Sequence, residues 1–299
     1  MLFHVIMFVA VYPVLLIMYV CMRNNFKEQR DRYCGVCLKE EDCHTEELEQ
    51  IEKHYVRGIN LTTLVCALLP FSFLLVKLVS IQTTLWMAWL FGMILFFGFL
   101  HGKANKKVLA YKQKRQALQQ QSPEDAPDLC EDDDRCWIWG LFYYNPKDKR
   151  TMVEKRLGMG FTTNMATPLG KVMMVVAVIA CLSVPVLCVD MMLEEFMPIH
   201  ISVEQEQLVC KHLKKDYQIP LEDITKCELE PMVTTTTKSS GVAMDNLKKG
   251  KFYIKGQGGC QVFLNPQNKK VIRLEVGEDV YYIGGYDDRE TEEVYEQLR

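Results

Sequence analysis

The chain lacks the side-chain combinations on which most enzymes depend. It contains six histidines among 299 residues, and no Ser-His-Asp, paired-carboxylate or His-x-x-x-His arrangement stands out at a usable spacing. The acidic run Asp132–Asp134 follows a Pro-containing segment and is typical of a solvated linker rather than a metal site. The sequence therefore predicts a protein that is not an enzyme and that uses no cofactor.

An excess of charge of one sign is also missing. Thirty-five basic and 38 acidic residues give a formal net charge of −3, and no basic face stands out, which argues against nucleic acid as a partner. The long apolar runs contain no carboxylate, and their strongly polar titratable residues, His4 and Lys77, lie near the run ends. Because ion and proton pathways need ionisable groups inside the membrane, a transporter is disfavoured.

Four apolar runs are long enough to cross a bilayer, which takes about 20 helical residues. The first has no basic segment before it and no small-residue cleavage site after it, so we expect a retained transmembrane helix rather than a removed signal peptide. The sequence predicts four transmembrane helices, and thus a lipid bilayer as partner, over Leu2–Met22, Ile59–Val79, Ile81–Leu100 and Leu169–Val189.

The basic residues between these runs predict the orientation of the chain. Arg23–Gly58 contains seven Lys and Arg and His101–Lys171 contains thirteen, whereas the short turn around Ser80 contains none. By the positive-inside rule, both basic loops are cytoplasmic. The N-terminus and the C-terminal domain are then extracytoplasmic, in a multi-pass protein of the cell membrane.

This pattern divides the chain into seven consecutive parts. They are a first transmembrane helix (1–22), a cytoplasmic loop with an amphipathic helix (23–58), a transmembrane hairpin (59–100), a basic then acidic linker (101–135), a cytoplasmic aromatic module (136–170), a fourth transmembrane helix (171–190) and an outer domain (196–299).

Three cysteines in the first loop suggest a metal or thiol site. Cys34, Cys37 and Cys43 could supply thiolates to Zn²⁺ in a reducing compartment. The spacing matches only half of a usual zinc motif, because there is no second Cys-x-x-Cys pair and His44 directly follows Cys43. Metal binding and a purely structural turn both remain open.

A basic helix extension follows the third apolar run. Lys103–Arg115 carries six Lys and Arg, and such a run beside a bilayer attracts anionic lipid headgroups. The same charges also set topology, so the sequence predicts a possible anionic lipid contact without specifying a site.

The aromatic module (residues 136–170) has a distinctive pattern. Trp137–Tyr144 predicts one β-strand, Asn145–Asp148 a turn, and Met152–Val153 a second short strand. The segment from 158 to 164 then returns the chain to the bilayer before Pro168 begins the fourth helix.

Both cytoplasmic segments resemble bacterial integral membrane proteins related to toxin-immunity and signalling proteins. In the first loop the resemblance rests on Tyr33, Gly35, Val36 and a helix ending near Tyr55; that family's turn has no cysteines, which implies a structural turn. The aromatic module resembles a short domain of unknown function from the same family. The matching residues are Trp137, Gly140, Tyr144, Asn145, Pro146, Asp148, Lys155, Arg156, Gly158, Gly160 and Asn164.

The last hundred residues predict a small β-rich domain. About seven short strands precede a helix from Arg289 to Arg299 that Asp287 and Asp288 cap. This order resembles bacterial pleckstrin-homology-like (PH-like) domains, with Phe263–Asn265 among the matching residues. The Thr234–Gly241 stretch predicts a loop.

These features support three functional hypotheses. The leading one is a non-enzymatic membrane sensor or regulatory protein, whose outer domain binds a peptide or protein and signals to the cytoplasmic aromatic module. The resemblance implies a second, a toxin-immunity protein acting through its helix bundle. The third is a metal or thiol sensor in the first loop.

Overall fold

The computed structural model describes residues 2–29, 32–119, 134–157, 160–213, 217–232 and 236–299. Most of the predicted acidic linker, and Gly158 of the predicted motif, lie outside these residues. The chain divides into two compact units. The first unit comprises Met1–Val76 and Leu85–Val184, and the second comprises Lys77–Thr84 and Pro185–Arg299.

Four helices within the described residues are long and apolar enough to cross a membrane, which confirms the predicted membrane fold. Their apolar side chains are largely exposed, as expected for a lipid-facing surface. The candidate spans are His4–Asn24, Glu46–Leu75, Val79–Leu118 and Pro168–Phe196. The corresponding α-helices are α1 (Leu2–Asn24), α2 (Glu46–Leu68), α3 (Val79–Gln119) and α4 (Pro168–Phe196).

The first unit is organised around Trp86, which is 1% exposed. Its indole makes edge contacts with Phe8, Phe73 and Trp89 at ring-centroid distances of 5.2, 5.5 and 5.8 Å. Aromatic side chains from α1, from the segment after α2 and from α3 thus pack on one ring, with the geometry that aromatic pairs favour.

The α2–α3 connection differs from the predicted pair of spans with a short turn around Ser80. Helix α2 ends at Leu68 and a 3₁₀ segment, Leu69–Leu75, follows with Pro70 in its first turn. Proline has no N–H to continue the α-helical ladder, so the chain tightens here instead of forming a kinked helix. The predicted amphipathic helix of the first loop is the N-terminal part of α2, which Thr45 caps by accepting a hydrogen bond from the Leu48 N–H.

Short antiparallel hairpins fill the two loops of the first unit. Strand Trp137–Tyr144 was predicted as continuous, and this is wrong: Trp139 and Gly140 both have positive φ, at 56° and 70°, and reverse the chain in a tight turn. Residues Phe161–Thr163, predicted as an irregular return, also form a strand. The strands are β1 (Lys27–Gln29), β2 (Arg32–Tyr33), β3 (Val36–Cys37), β4 (Trp137–Ile138), β5 (Phe142–Tyr143), β6 (Met152–Glu154) and β7 (Phe161–Thr163).

The C-terminal domain of the second unit contains two sheets and a closing helix. One sheet has the order β10-β9-β8 and the other β11-β15-β16-β14-β13-β12, in which only the β14–β16 pairing is parallel. The elements are β8 (His200–Glu204), β9 (Gln207–Lys211), β10 (Tyr217–Pro220), β11 (Ile224–Pro231), β12 (Thr236–Ala243), β13 (Lys248–Ile254), β14 (Gly258–Leu264), β15 (Lys270–Val276), β16 (Asp279–Ile283) and α5 (Asp288–Leu298).

Helix α5 closes the core of this domain. Asp287 caps it by accepting a hydrogen bond from the Glu290 N–H, and Val294 packs with Ile272 and Ile283. The predicted capped helix is therefore confirmed. The loop predicted at Thr234–Gly241 is wrong from Thr236 onward, because β12 is a polar edge strand that the main chain of β13 holds in register.

Candidate functional site

Asn164 organises the loop that leads into α4. Its side chain is fully buried; its Oδ1 accepts hydrogen bonds from the Asn145 and Ala166 N–H groups, both at 3.1 Å. Its Nδ2 donates to the carbonyl oxygens of Asn145 and Asp148, both at 2.9 Å. One amide thereby satisfies four main-chain groups, which fixes the Asn145–Asp148 turn against the start of the helix.

The Asn145–Asp148 turn is itself rigidly bonded. The Tyr143 hydroxyl donates to Asp148 Oδ2 at 3.1 Å and accepts from Asn145 Nδ2 at 3.0 Å. Hydrogen bonds from the Arg150 side chain and then from its backbone N–H lower the pKa of Asp148 to about 2. Asp148 thus remains a carboxylate under physiological conditions and serves as an acceptor that shapes the turn.

The aromatic module meets the first loop through two tight turns. Cys34 and Gly35 have φ of 48° and 78°, and they face Trp139 and Gly140, whose φ values are also positive. A methyl group added to Gly140 would lie 2.7 Å from the Cys34 carbonyl oxygen. The two turns contact each other through their backbones, so positions 35 and 140 both require glycine.

Side chains of helix α3 form hydrogen bonds with both turns. Asn105 Nδ2 donates to the Cys34 carbonyl at 2.8 Å, and His101 Nε2 donates to the Trp139 carbonyl at 3.1 Å. The Trp139 ring lies against Gly102, where an added methyl would be 3.3 Å from the indole. One helix face therefore sets the position of the first loop and of the aromatic module.

A buried charge cluster completes this contact. Arg156, which is 6% exposed, donates to the Gly35 carbonyl at 2.7 Å and pairs with Asp134. Lys112 Nζ lies 2.7 Å from the second oxygen of Asp134, and the Arg156 guanidinium stacks 5.2 Å from the Trp137 ring centre. A planar guanidinium suits this combination of ion pair, carbonyl and aromatic partner.

The first end of α4 is fixed to the aromatic module. Thr167 Oγ1 donates to the Asn164 carbonyl at 2.8 Å and accepts from the Gly170 N–H at 3.2 Å. A methyl on Gly170 would lie 2.1 Å from the Asn164 carbonyl oxygen. The helix start and the Asn164 loop are therefore packed in backbone contact.

The other end of α4 is fixed within the second unit. Glu195 Oε2 accepts a hydrogen bond of 2.8 Å from the Ser80 N–H at the start of α3, and the Glu195 carbonyl accepts from Asn246. Lys249, 6% exposed, lies 3.4 Å from Glu194 Oε2 and 3.0 Å from His212 Nδ1. Because Lys249 donates to it, His212 is neutral here.

Burial lowers the pKa of His212, and the neighbouring Lys249 charge lowers it further, while Glu194 acts in the opposite direction. This cluster joins the last turn of α4 to strands of the C-terminal domain.

The structure brings together only part of the predicted motif. Five motif residues form the buried or turn-shaping contacts described above, namely Trp137, Asn145, Asp148, Arg156 and Asn164, and Gly140 supplies the tight turn. Tyr144, Pro146 and Lys155 are exposed, and Gly160 has a φ of 101°. Sequence reasoning missed Asp134, His101 and Asn105 in this unit and Glu195, Lys249 and His212 in the other, because each is an isolated polar residue with no local pattern.

The three loop cysteines are buried. Among the described residues, no group of three or more His, Cys, Asp and Glu side chains could hold a metal ion. Burial raises the pKa of the Cys34 thiol, and Cys43 Sγ donates to the Lys39 carbonyl. Protonated, enclosed thiols are poor ligands and nucleophiles. The metal or thiol sensor therefore stays a prediction without geometric support.

Two families match parts of the chain. A bacterial PH domain family matches residues 199–299, and a family of unknown function (DUF5808) matches residues 146–171. The first confirms the predicted PH-like domain. The second overlaps the later part of the predicted aromatic module but does not include Trp137, Gly140, Tyr144 or Asn145.

No curated protein and no solved structure matches the chain, and the predicted relationship to toxin-immunity proteins is not among the matches. The chain thus combines four membrane-spanning helices with a C-terminal domain similar to bacterial PH domains. That combination is consistent with a membrane regulatory protein.

Proposed function

We propose that the protein is a non-enzymatic membrane sensor, in which the PH-like domain binds a peptide or protein outside the membrane and α4 conveys its occupancy to the aromatic module. The observation that carries this proposal is the attachment of α4 at both ends. Asn164, Thr167 and Gly170 fix its start, and Glu194 and Glu195 fix its last turn.

No flexible linker separates α4 from the PH-like domain. The helix ends at Phe196 and β8 begins at His200, and the intervening Ile199 is 3% exposed in the domain core. Gly- or Ser-rich linkers dissipate motion because they sample many conformations. Here a shift of the PH-like domain must instead be accommodated by α4 itself.

Pro185 gives α4 a place at which it can bend. Proline removes one helical hydrogen bond and its ring crowds the carbonyl one turn earlier. The boundary between the two compact units falls between Val184 and Pro185. A two-state change at this point would let a ligand with different affinities for the two states alter the aromatic module.

The positive-inside rule supports the orientation in this proposal. The first cytoplasmic loop contains seven basic residues and the later one contains thirteen, whereas the short turn between the second and third apolar runs contains none. The PH-like domain would then meet extracellular or envelope ligands, and the aromatic module would meet cytoplasmic partners.

Hydrogen exchange of the full-length protein in lipid nanodiscs tests the coupling. Glu195→Ala removes the acceptor of the Ser80 N–H, and Glu278→Ala removes an exposed carboxylate in the same domain as a control. We expect Glu195→Ala to increase exchange around Ser80 and also in residues 136–167, with no change for Glu278→Ala. An increase confined to the surroundings of Ser80 would overturn the proposal, because the local contact would be broken without any effect on the aromatic module.

A further inference from the structure

Helices α2 and α3 are antiparallel and pack against each other at Gly58, where an added methyl would lie 3.5 Å from the Leu100 side chain. At the start of α2, Glu47 Oε2 lies 2.9 Å from Lys114 Nζ of α3. Two adjoining hollows of about 370 and 130 Å³ open between them and share Ile51, His54 and Lys107. We refer to these hollows together as the α2–α3 groove.

The groove is positively charged. Lys103 and Lys107 line it one helical turn apart and have no carboxylate partner among the described residues. Lys114, at the far end, is already paired with Glu47 at 2.9 Å. His54 Nδ1 donates to the Gln50 carbonyl at 2.9 Å, so Nε2 is the ring nitrogen that a ligand can reach. Two unpaired ammonium groups and an imidazole are suited to a phosphate.

The groove lies at the edge of the apolar belt. Lys103 is the first cation after the Ile81–Leu100 run and lies one turn beyond Phe99, which is 63% exposed. On α2, the apolar run begins at Ile59, and Leu61 within it is 64% exposed. Cations at the boundary with apolar side chains directly beyond them match the headgroup and acyl chains of a lipid.

We propose that the α2–α3 groove binds an anionic phospholipid of the bilayer. Lys103 and Lys107 contact its phosphate, His54 forms a hydrogen bond with its headgroup, and its acyl chains lie on Phe99 and Leu61. The continuity of the groove with the lipid-facing surface favours a lipid over a soluble phosphate. The residues involved differ from those that fix α4, so loss of lipid binding and loss of coupling can be measured separately.

Native mass spectrometry of the full-length protein, titrated with phosphatidylglycerol, tests this site. The variant is Lys103→Gln with Lys107→Gln, and the control is Lys106→Gln with Lys149→Gln, which changes the charge equally at exposed positions outside the groove. Each cation that contacts the bound headgroup is expected to contribute about a fivefold factor in lipid affinity. We expect the groove variant to weaken the binding of the first lipid by about 25-fold and the control to change it less than about twofold.

Three outcomes would overturn the proposal. Equal losses in the groove and control variants would show general surface electrostatics. Equally tight retention of phosphatidylcholine would show that negative charge is not recognised, and displacement by glycerol 3-phosphate would point to a soluble ligand. Thermal unfolding without added lipid should be the same for wild type and both variants, because all four lysines are exposed.

Discussion

Gly35 and Gly140 face each other so closely that a methyl group added to Gly35 would lie 2.9 Å from the Cα of Gly140. Both residues have positive φ, at 78° and 70°. The first loop and the aromatic module, which are far apart in the chain, are therefore in direct backbone contact here, beside the hydrogen bond from Arg156 to the Gly35 carbonyl. This contact fixes the two segments in one arrangement on α3.

Gly140→Ala is expected to loosen that contact. The new methyl would overlap the Cys34 carbonyl and adopt an unfavourable φ, at a cost of about 2–4 kcal/mol in the free energy of unfolding. Mass-spectrometric mapping of thiol modification should show faster labelling of Cys34, which is fully buried in the wild type. Gly98→Ala is the control, because nothing lies within 4 Å of its added methyl and it is helical; equal labelling of Cys34 in both variants would contradict the assigned contact.

Asn164→Asp tests the four main-chain hydrogen bonds that the Asn164 amide makes next to the start of α4. The carboxylate keeps the two accepting bonds but places oxygens opposite the Asn145 and Asp148 carbonyls, so we expect a loss of about 2–4 kcal/mol in stability. Thermal unfolding of the purified protein measures this loss of stability. Gln113→Glu, the same amide-to-carboxylate change at an exposed site of α3, should have little effect. Comparable melting temperatures for both variants would mean that the hydrogen bonds of the Asn164 amide do not stabilise the protein.

Arg156→Lys should weaken the buried charge cluster although it conserves the charge. An ammonium cannot bond Gly35 and Asp134 while stacking on Trp137, so we expect about 2–3 kcal/mol of destabilisation. Arg57→Lys, at an exposed arginine of α2, should cost less than about 0.5 kcal/mol. The idea fails if chemical unfolding places the two variants at the same midpoint.

The stability of the protein should fall in mild acid because of His212. Its pKa in the folded protein lies below the ordinary value of 6.5 because of burial and Lys249, so the unfolded chain takes up a proton first as the pH falls. The stabilisation from neutral His212 is complete above pH 6.5 and is lost as the pH falls below it toward the folded pKa.

Melting temperatures of the full-length protein between pH 7.5 and 5 should therefore decrease, and His212→Gln should flatten that decrease. His44→Gln, at an exposed histidine, is the control and should preserve the wild-type slope. An unchanged slope in the His212 variant would remove this histidine as the origin of the effect.

Topology can be measured with two introduced cysteines. Lys251→Cys lies at an exposed site of the PH-like domain and Lys149→Cys at an exposed site of the aromatic module. Introduced sites are needed because Cys210 and Cys260 are buried. An impermeant maleimide should label Lys251→Cys in intact cells and Lys149→Cys only after lysis; the reverse pattern would place the PH-like domain in the cytoplasm.

The sequence predicted the four spans, the Asp287 helix cap and the PH-like domain. It missed β12 and the Trp139–Gly140 reversal. Caps and spans depend on local properties, since a capping side chain serves its own helix and apolar length sets the span. Strand β12 is polar and pairs with β13 through main-chain bonds, so its side chains carry no apolar alternation that could reveal it.

The sequence by itself determined which segments enter the membrane, because the free energies of transferring individual residues from water into the bilayer add up nearly independently along the chain. Only the tertiary structure decided which isolated polar residues meet. Arg156 with Asp134 and Gly35, and Glu195 with Ser80, are pairings between distant segments that require the helices to be packed first. Their energies depend on burial and orientation, which no local sequence pattern encodes.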